Sequence, residues 1–125
     1  MTTEKKIENE VLTYLSTVED FFAFKINTTG IFDPKTKKFR KIVNKFIHKG
    51  TSDILACYKG RFIAIEIKKP APNKTYESKD QKLFASIVRD NGGLSYVVRS
   101  KDEMIQILEE IKCLENWDVS KKQKN

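Results

Sequence analysis

"GRFIAIEIKKPAPNK", residues 60–74, is the stretch from which the fold can be read. Ile63, Ile65 and Ile67 alternate onto one face, the period of a β-strand, and Pro70 closes the run. The same alternation sends Phe62, Ala64, Glu66 and Lys68 to the other face. An apolar strand therefore carries a carboxylate and an ammonium side by side. Just upstream, "SDILACY" (52–58) is a second strand, and only Lys59-Gly60 separates the two, as in a two-residue hairpin. In that register the numbers of opposed residues sum to 119, so Tyr58 faces Arg61, Cys57 faces Phe62, Leu55 faces Ala64 and Asp53 faces Glu66. Lys59 is not ideal in a primed turn, so a slip or bulge stays open.

The register brings two carboxylates together, with Lys68 two residues further along the same face. At an effective dielectric constant near 20, two like charges about 4 Å apart repel by about 4 kcal/mol. A fold tolerates that if one group is protonated, if water screens both, or if a cation lies between them. With no His or Cys nearby, the cation that suits two carboxylates is hard and divalent, Mg²⁺ or Mn²⁺. Such an ion makes water a better nucleophile, and Lys68 could orient that water or stabilise charge on a phosphate oxygen. An E-x-K by itself is more often an exposed ion pair of little energetic value. The Asp across the hairpin and a basic run just before it favour the chemical reading.

The rest of the chain fits one domain: 125 residues, 39% hydrophobic, with a formal net charge of +7. The basic excess points to a polyanionic partner, nucleic acid before an anionic membrane surface. No apolar run is long enough to span a bilayer, and "MTTEKKIENE" is too polar for a signal peptide, so no membrane role and a cytoplasmic setting are expected. Cys57 and Cys113 are isolated, which fits a reduced compartment. The single histidine, His48, speaks against a Ser–His–Asp triad and against zinc sites that need several His.

Along the chain, residues 4–17 have helical periodicity through Ile7, Val11, Leu12, Tyr14 and Leu15, and 20–27 read as a strand. Residues 28–38 are rich in turn formers. From Lys35 to Lys49 there are seven Lys or Arg and no acid, a basic excursion with a short strand or a turn of helix. Residues 61–69 are the strand quoted first, and 70–77 a loop. Ser78 and Gln81 have capping-box spacing and open a helix to Asp90, with Leu83, Phe84, Ile87 and Val88 as its buried stripe. Asn91-Gly92-Gly93 stops it. Residues 94–100 form a strand, and Ser100 with Glu103 opens a last helix to about Leu114, on which Trp117 packs against the body. The expected organisation is a single domain over 1–116 and a flexible basic tail over 117–125. The class is α/β, a mixed central sheet flanked by helices.

Asp53 with Glu66-Ile67-Lys68 resembles the signature of the PD-(D/E)XK nuclease superfamily. More narrowly, "GTSDILACYKGRFIAIEIKKP" followed by "DQKLF", "NGGLSYVVRS" and "DEMIQIL" is similar to the VRR-NUC nucleases of phages and repair enzymes. The resemblance covers residues 4 to about 110 and implies a restriction-endonuclease-like core, α-β-β-β-α-β, with divalent-metal-dependent cleavage of DNA. It implies Asp53 and Glu66 as metal ligands, Lys68 as the catalytic lysine, the Ile67 backbone carbonyl as a further ligand, and Gln81 as a glutamine near the site. Ser52 departs from the proline many relatives have there, which alters turn stiffness and not the metal chemistry. Such nucleases also take a glutamate from the first helix: Glu8 is favoured for its place beside Val11, Leu12 and Leu15, with Glu4 close behind.

The expected activity is a Mg²⁺- or Mn²⁺-dependent endonuclease acting on branched, junction or duplex DNA, with no small-molecule cofactor. The alternative is a nucleic-acid-binding module with a vestigial nuclease fold. Lys37, Lys38, Arg40, Lys41, Lys45, His48 and Lys49 are the expected DNA contacts, joined by Lys69 and Lys74 just past the motif. Short chains of this kind resemble phage or prophage proteins working in a bacterial host cell. A small domain of limited reach leads to the expectation of a homodimer presenting two sites to a four-way junction.

Overall fold

The computed structural model describes residues 3–26, 31–40, 46 and 48–123, excepting the side chains of 31, 32, 39, 40 and 115–123. Among the described residues three helices and six strands follow in the order α1 (Glu4–Leu15), β1 (Phe21–Lys25), β2 (Ile31–Asp33), β3 (Lys38–Arg40), β4 (Ile54–Tyr58), β5 (Arg61–Ile67), α2 (Lys79–Asp90), β6 (Leu94–Val98) and α3 (Lys101–Gln123). Four strands make a mixed sheet in the order β1-β4-β5-β6, while β2 and β3 pair with each other in a separate ladder. β1 and β5 lie antiparallel to β4, and β6 runs parallel to β5. The crossover between β5 and β6 contains α2, as a parallel pair requires. Among the described residues no helix is long and apolar enough to cross a membrane.

The β4–β5 register is the one the two-residue loop dictates: Tyr58 pairs with Arg61, Cys57 with Phe62, Leu55 with Ala64 and Ile54 with Ile65. Lys59 (φ 50°) and Gly60 (φ 83°) both take positive φ, the requirement of a type I′ turn. Lys59 accepts the left-handed conformation despite its Cβ, and no bulge shifts the ladder.

One face of the sheet is sealed. Ile54, Ile63, Ile65, Ile67 and Val98 join Ile7, Val11 and Leu15 of α1 and Met104, Leu108 and Ile111 of α3 in one core. α2 covers part of the opposite face and buries Ala85 and Val88. The expected stripe of Leu83, Phe84, Ile87 and Val88 is thus corrected: Leu83 and Ile87 are exposed. The turn between α2 and β6 is tight: a Cβ on Gly93 would come 2.8 Å from Val88 of α2 and 3.1 Å from the Phe62 carbonyl on the neighbouring strand β5.

The basic excursion contains the short strand expected of it, β3, which pairs with β2 from the turn-rich segment before it; Asp33 closes their turn, its backbone carbonyl accepting from Lys37 N–H and its Oδ1 from Lys35 N–H. One boundary differs from expectation. α3 continues through Gln123 instead of ending near Leu114, starting from Ser100, whose Oγ accepts from Glu103 N–H. Trp117's side chain, Lys41 and Lys45 lie outside the described residues, and Arg40 is described by its backbone alone.

Candidate active site

Three elements deliver the site: the residue before β4, the end of β5 and the first turn of α2. Asp53 lies one residue before the β4–β5 ladder, which ends at Ile54–Ile65, and its backbone carbonyl accepts from Ile26 N–H at 3.0 Å, so the chain just past β1 anchors it. Its side chain turns toward β5, where Oδ2 accepts from Ile67 N–H at 2.9 Å. Asp53 and Glu66 therefore meet as the register requires, with the aspartate held by the peptide that follows Glu66.

Glu66 is buried, 4% exposed, on the face opposite the isoleucines. Its Oε1 accepts from Gln81 Nε2 at 2.9 Å, and Lys68 Nζ lies 3.9 Å from the same oxygen. Its Oε2 is buried and, with both carboxyls ionised, no donor reaches it. Burial, then the neighbouring Asp53 charge and a proton shared with Asp53, raise the Glu66 carboxyl from the ordinary 4.5 to about 8, against the opposing pull of Lys68. Left to itself the pair resolves its repulsion by keeping a proton.

Gln81 serves two roles at once. Ser78 Oγ accepts from Gln81 N–H, and Gln81 Oε1 accepts from Ser78 N–H at 2.8 Å, completing a capping box. Because the amide oxygen must face that N–H donor, the amide NH₂ is left to face Glu66. The cap thus fixes the polarity of the side chain that orients the acid. The loop before β4 packs hard against this turn: Gly50 (φ 79°) has no room for a Cβ, which would come 2.3 Å from the backbone of Asp80. His48, close by, sets its ring 5.6 Å from that of Phe84 on α2.

The first helix contributes one buried acid, Glu8, 8% exposed. Lys25 of β1, a residue the sequence did not single out, places Nζ 2.9 Å from Glu8 Oε1, in ion-pair contact but without the alignment of a hydrogen bond. Glu4 instead accepts from Thr75 Oγ1 at 3.2 Å, on the loop that follows Lys68. Among the described residues no group of three or more acids, His or Cys is assembled to hold a metal ion. Asp53 and Glu66 are the two carboxylates that stand together, and their hard oxygens, one of them buried without a donor, fit a divalent cation.

The basic residues are distributed. Lys37 and Lys38 are exposed at the turn and second strand of the β2–β3 hairpin, and Lys49 is exposed on the loop leading to Asp53. Lys69 and Lys74 bracket the loop beyond Lys68, where Lys69 N–H donates to Thr75 Oγ1 and Lys74 Nζ sits 5.5 Å from the Tyr76 ring centroid. A surface hollow on the far side of α1, lined by Asn9, Glu10, Thr13, Tyr14, Thr17 and Lys101, contains none of the proposed site residues. Cys57 and Cys113 are free and exposed. No protein-family model matches the chain, and a search of curated proteins found no match either.

Proposed function

We propose that the protein is a divalent-metal-dependent deoxyribonuclease that hydrolyses phosphodiester bonds in structured DNA. The observation that carries this reading is the forced meeting of Asp53 and Glu66 across the β4–β5 register, with Lys68 at 3.9 Å and a buried Glu66 oxygen left without a donor. Two acids placed in repulsion beside an ammonium cost stability, and such an arrangement is characteristic of sites tuned for chemistry. The succession α1-β1-β4-β5-α2-β6, with the β2–β3 hairpin inserted, supports the α-β-β-β-α-β core of the PD-(D/E)XK enzymes, and the VRR-NUC-like motif run supports the narrower assignment.

Asp53, Glu66 and the Ile67 carbonyl would hold Mg²⁺ or Mn²⁺, with Glu8 as the helix acid. When bound, the ion supplies Lewis-acid stabilisation and a more acidic water. The protein's own groups set the geometry. Ile67 N–H aims Asp53, Gln81 aims Glu66, and Lys68 offers its ammonium to a phosphate oxygen on which negative charge develops. The exposed lysines engage the backbone of DNA without reading bases, and a homodimer would offer two such sites to paired strands.

The test is cleavage of branched DNA by the purified protein with Mg²⁺ or Mn²⁺. Asp53→Ala and Lys68→Ala are expected to lose at least about 10²-fold in rate, the scale for removing one group that stabilises developing charge, with circular dichroism unchanged. Cutting by either variant at the wild-type rate would sink the assignment. The net charge of +7 keeps a second reading, a non-catalytic nucleic-acid-binding module, in play. That reading predicts salt-sensitive binding without cleavage under any divalent metal.

A further inference from the structure

Beyond Lys68 the chain makes a loop that Arg99, at the end of β6, ties shut. Arg99 Nη1 donates to the carbonyls of Lys69 and Thr75, each at 2.6 Å. Thr75 N–H donates to the Lys69 carbonyl at 3.3 Å, and Thr75 Oγ1 accepts from Lys69 N–H. These bonds fix the backbone on which Tyr76 stands. Tyr76 is nevertheless 69% exposed, so it contributes little to any core. The Arg99 guanidinium carbon lies over the ring, 5.4 Å from its centroid, and Lys74 Nζ lies over it at 5.5 Å, so two cations meet an aromatic side chain that is still largely open to solvent.

We propose that Tyr76, flanked by Arg99 and Lys74, is a stacking seat for an unpaired base of single-stranded DNA beside the Asp53–Glu66–Lys68 cluster. An exposed aromatic side chain with two cations at its ring matches a base and the phosphates on either side of it. A base inside a duplex has both faces occupied by its neighbours, so the occupant has to be unpaired. Because Arg99 and Thr75 already order the loop, little entropy remains to be lost on binding. Proximity to the cluster follows from chain length: Tyr76 is two residues from Ser78, a span of at most about 7 Å. Ser78 N–H in turn bonds the Gln81 side chain that holds Glu66. The seat's position next to a scissile phosphate rests on the nuclease reading, whereas the seat itself does not. Together they name the substrate class: DNA with a single-stranded segment or an unpaired base at the cut, such as a flap or an open junction.

Fluorescence anisotropy with a labelled oligothymidylate, and with a blunt duplex of the same length, tests this on the full chain in EDTA. Tyr76→Ala is expected to weaken single-strand binding by about 5- to 150-fold, the equivalent of about 1–3 kcal/mol for one stacked base. Tyr76→Phe and Tyr76→Trp should retain that binding, and duplex affinity should be unchanged in all three. Equal single-strand affinity in Tyr76→Ala and wild type overturns the seat, and so does an equal loss toward both ligands. The measurement contains no cleavage step, so the two readings fail separately. Tyr76-dependent binding by a protein that cuts nothing with Mg²⁺ or Mn²⁺ leaves the seat standing and removes the nuclease. Cutting with no Tyr76 effect on binding does the reverse.

Discussion

Along β5, Ile63, Ile65 and Ile67 point into a core closed by α1 and α3, whereas Ala64, Glu66 and Lys68 alternate onto the face shared with α2. The first set consists of three isoleucines, each at most 2% exposed. The second set passes from a methyl group to a buried acid to a partly buried ammonium within five residues. Both faces exclude water, yet only one does so at an electrostatic cost. The contrast teaches that burial in this strand serves two ends: on one face it stabilises the fold, and on the other it keeps an acid in a state that water would not allow.

The largest effect expected in stability comes from the sealed face. Ile65→Ala removes a side chain that is 0% exposed, and should cost about 2–5 kcal/mol through lost transfer energy and the cavity left behind. Urea unfolding checks it. Should Lys68→Ala cost as much as Ile65→Ala, the division of labour between the faces would be broken.

Next comes the pH dependence set by Glu66. Its carboxyl is raised from 4.5 to about 8 in the folded protein, so between those values the native state holds a proton that the unfolded state has released. The contribution to stability is therefore complete below about pH 4.5 and is lost as the pH climbs through about 8. The loss is on the order of a few kcal/mol, each tenfold change in proton affinity being worth about 1.4 kcal/mol. Glu66→Gln substitutes a neutral group of the same shape that still accepts from Gln81 and can donate toward Asp53. In EDTA, the variant should unfold at nearly constant urea concentration from pH 5 to 8 while wild type weakens, and with Mg²⁺ or Mn²⁺ restored it should cut no DNA. A wild-type protein equally stable across that range would show that Glu66 is not held as an acid.

How much of this was legible beforehand depended on how local the determining interaction is. The meeting of Asp53 with Glu66 followed from a loop of two residues, since a hairpin that short leaves the register little freedom. The Ser78–Gln81 cap was legible for the same reason, being closed within one helical turn. The Lys25–Glu8 ion pair was not, because it depends on how α1 crosses β1, which no spacing encodes. Nor was the exposure of Leu83 and Ile87: their periodicity is that of a buried stripe, yet α2 buries Ala85 and Val88 instead, and no spacing encodes which part of a helical face a sheet will cover. Arg99 stood in a quoted motif without a role, since its partners, Lys69 and Thr75, lie 30 and 24 residues away.

The smallest expected effect tests the one residue that joins local to distant structure. Sequence offered Gln81 as a helix cap or as a site residue, and the fold makes these a single device, since the cap spends the amide oxygen and leaves the NH₂ for Glu66. Gln81→Leu removes both bonds, and should cost about 1–3 kcal/mol for a part-buried acceptor and a cap left unpaired. Gln81→Glu separates the two roles. Its carboxylate can still accept from Ser78 N–H, so the helix start is kept, but it sets a third acid against Glu66 where a donor had been. If Gln81 matters only as a cap, Gln81→Glu will behave as wild type in both stability and cleavage. If it also aims Glu66, Gln81→Glu will match wild type near pH 5 and fall away from it as the pH rises, because the added carboxyl must shed its proton beside Asp53 and Glu66, which is harder in the folded chain than in the unfolded one. The comparison of the two variants across pH, read by urea unfolding, assigns Gln81 to the chemical face of β5 or removes it.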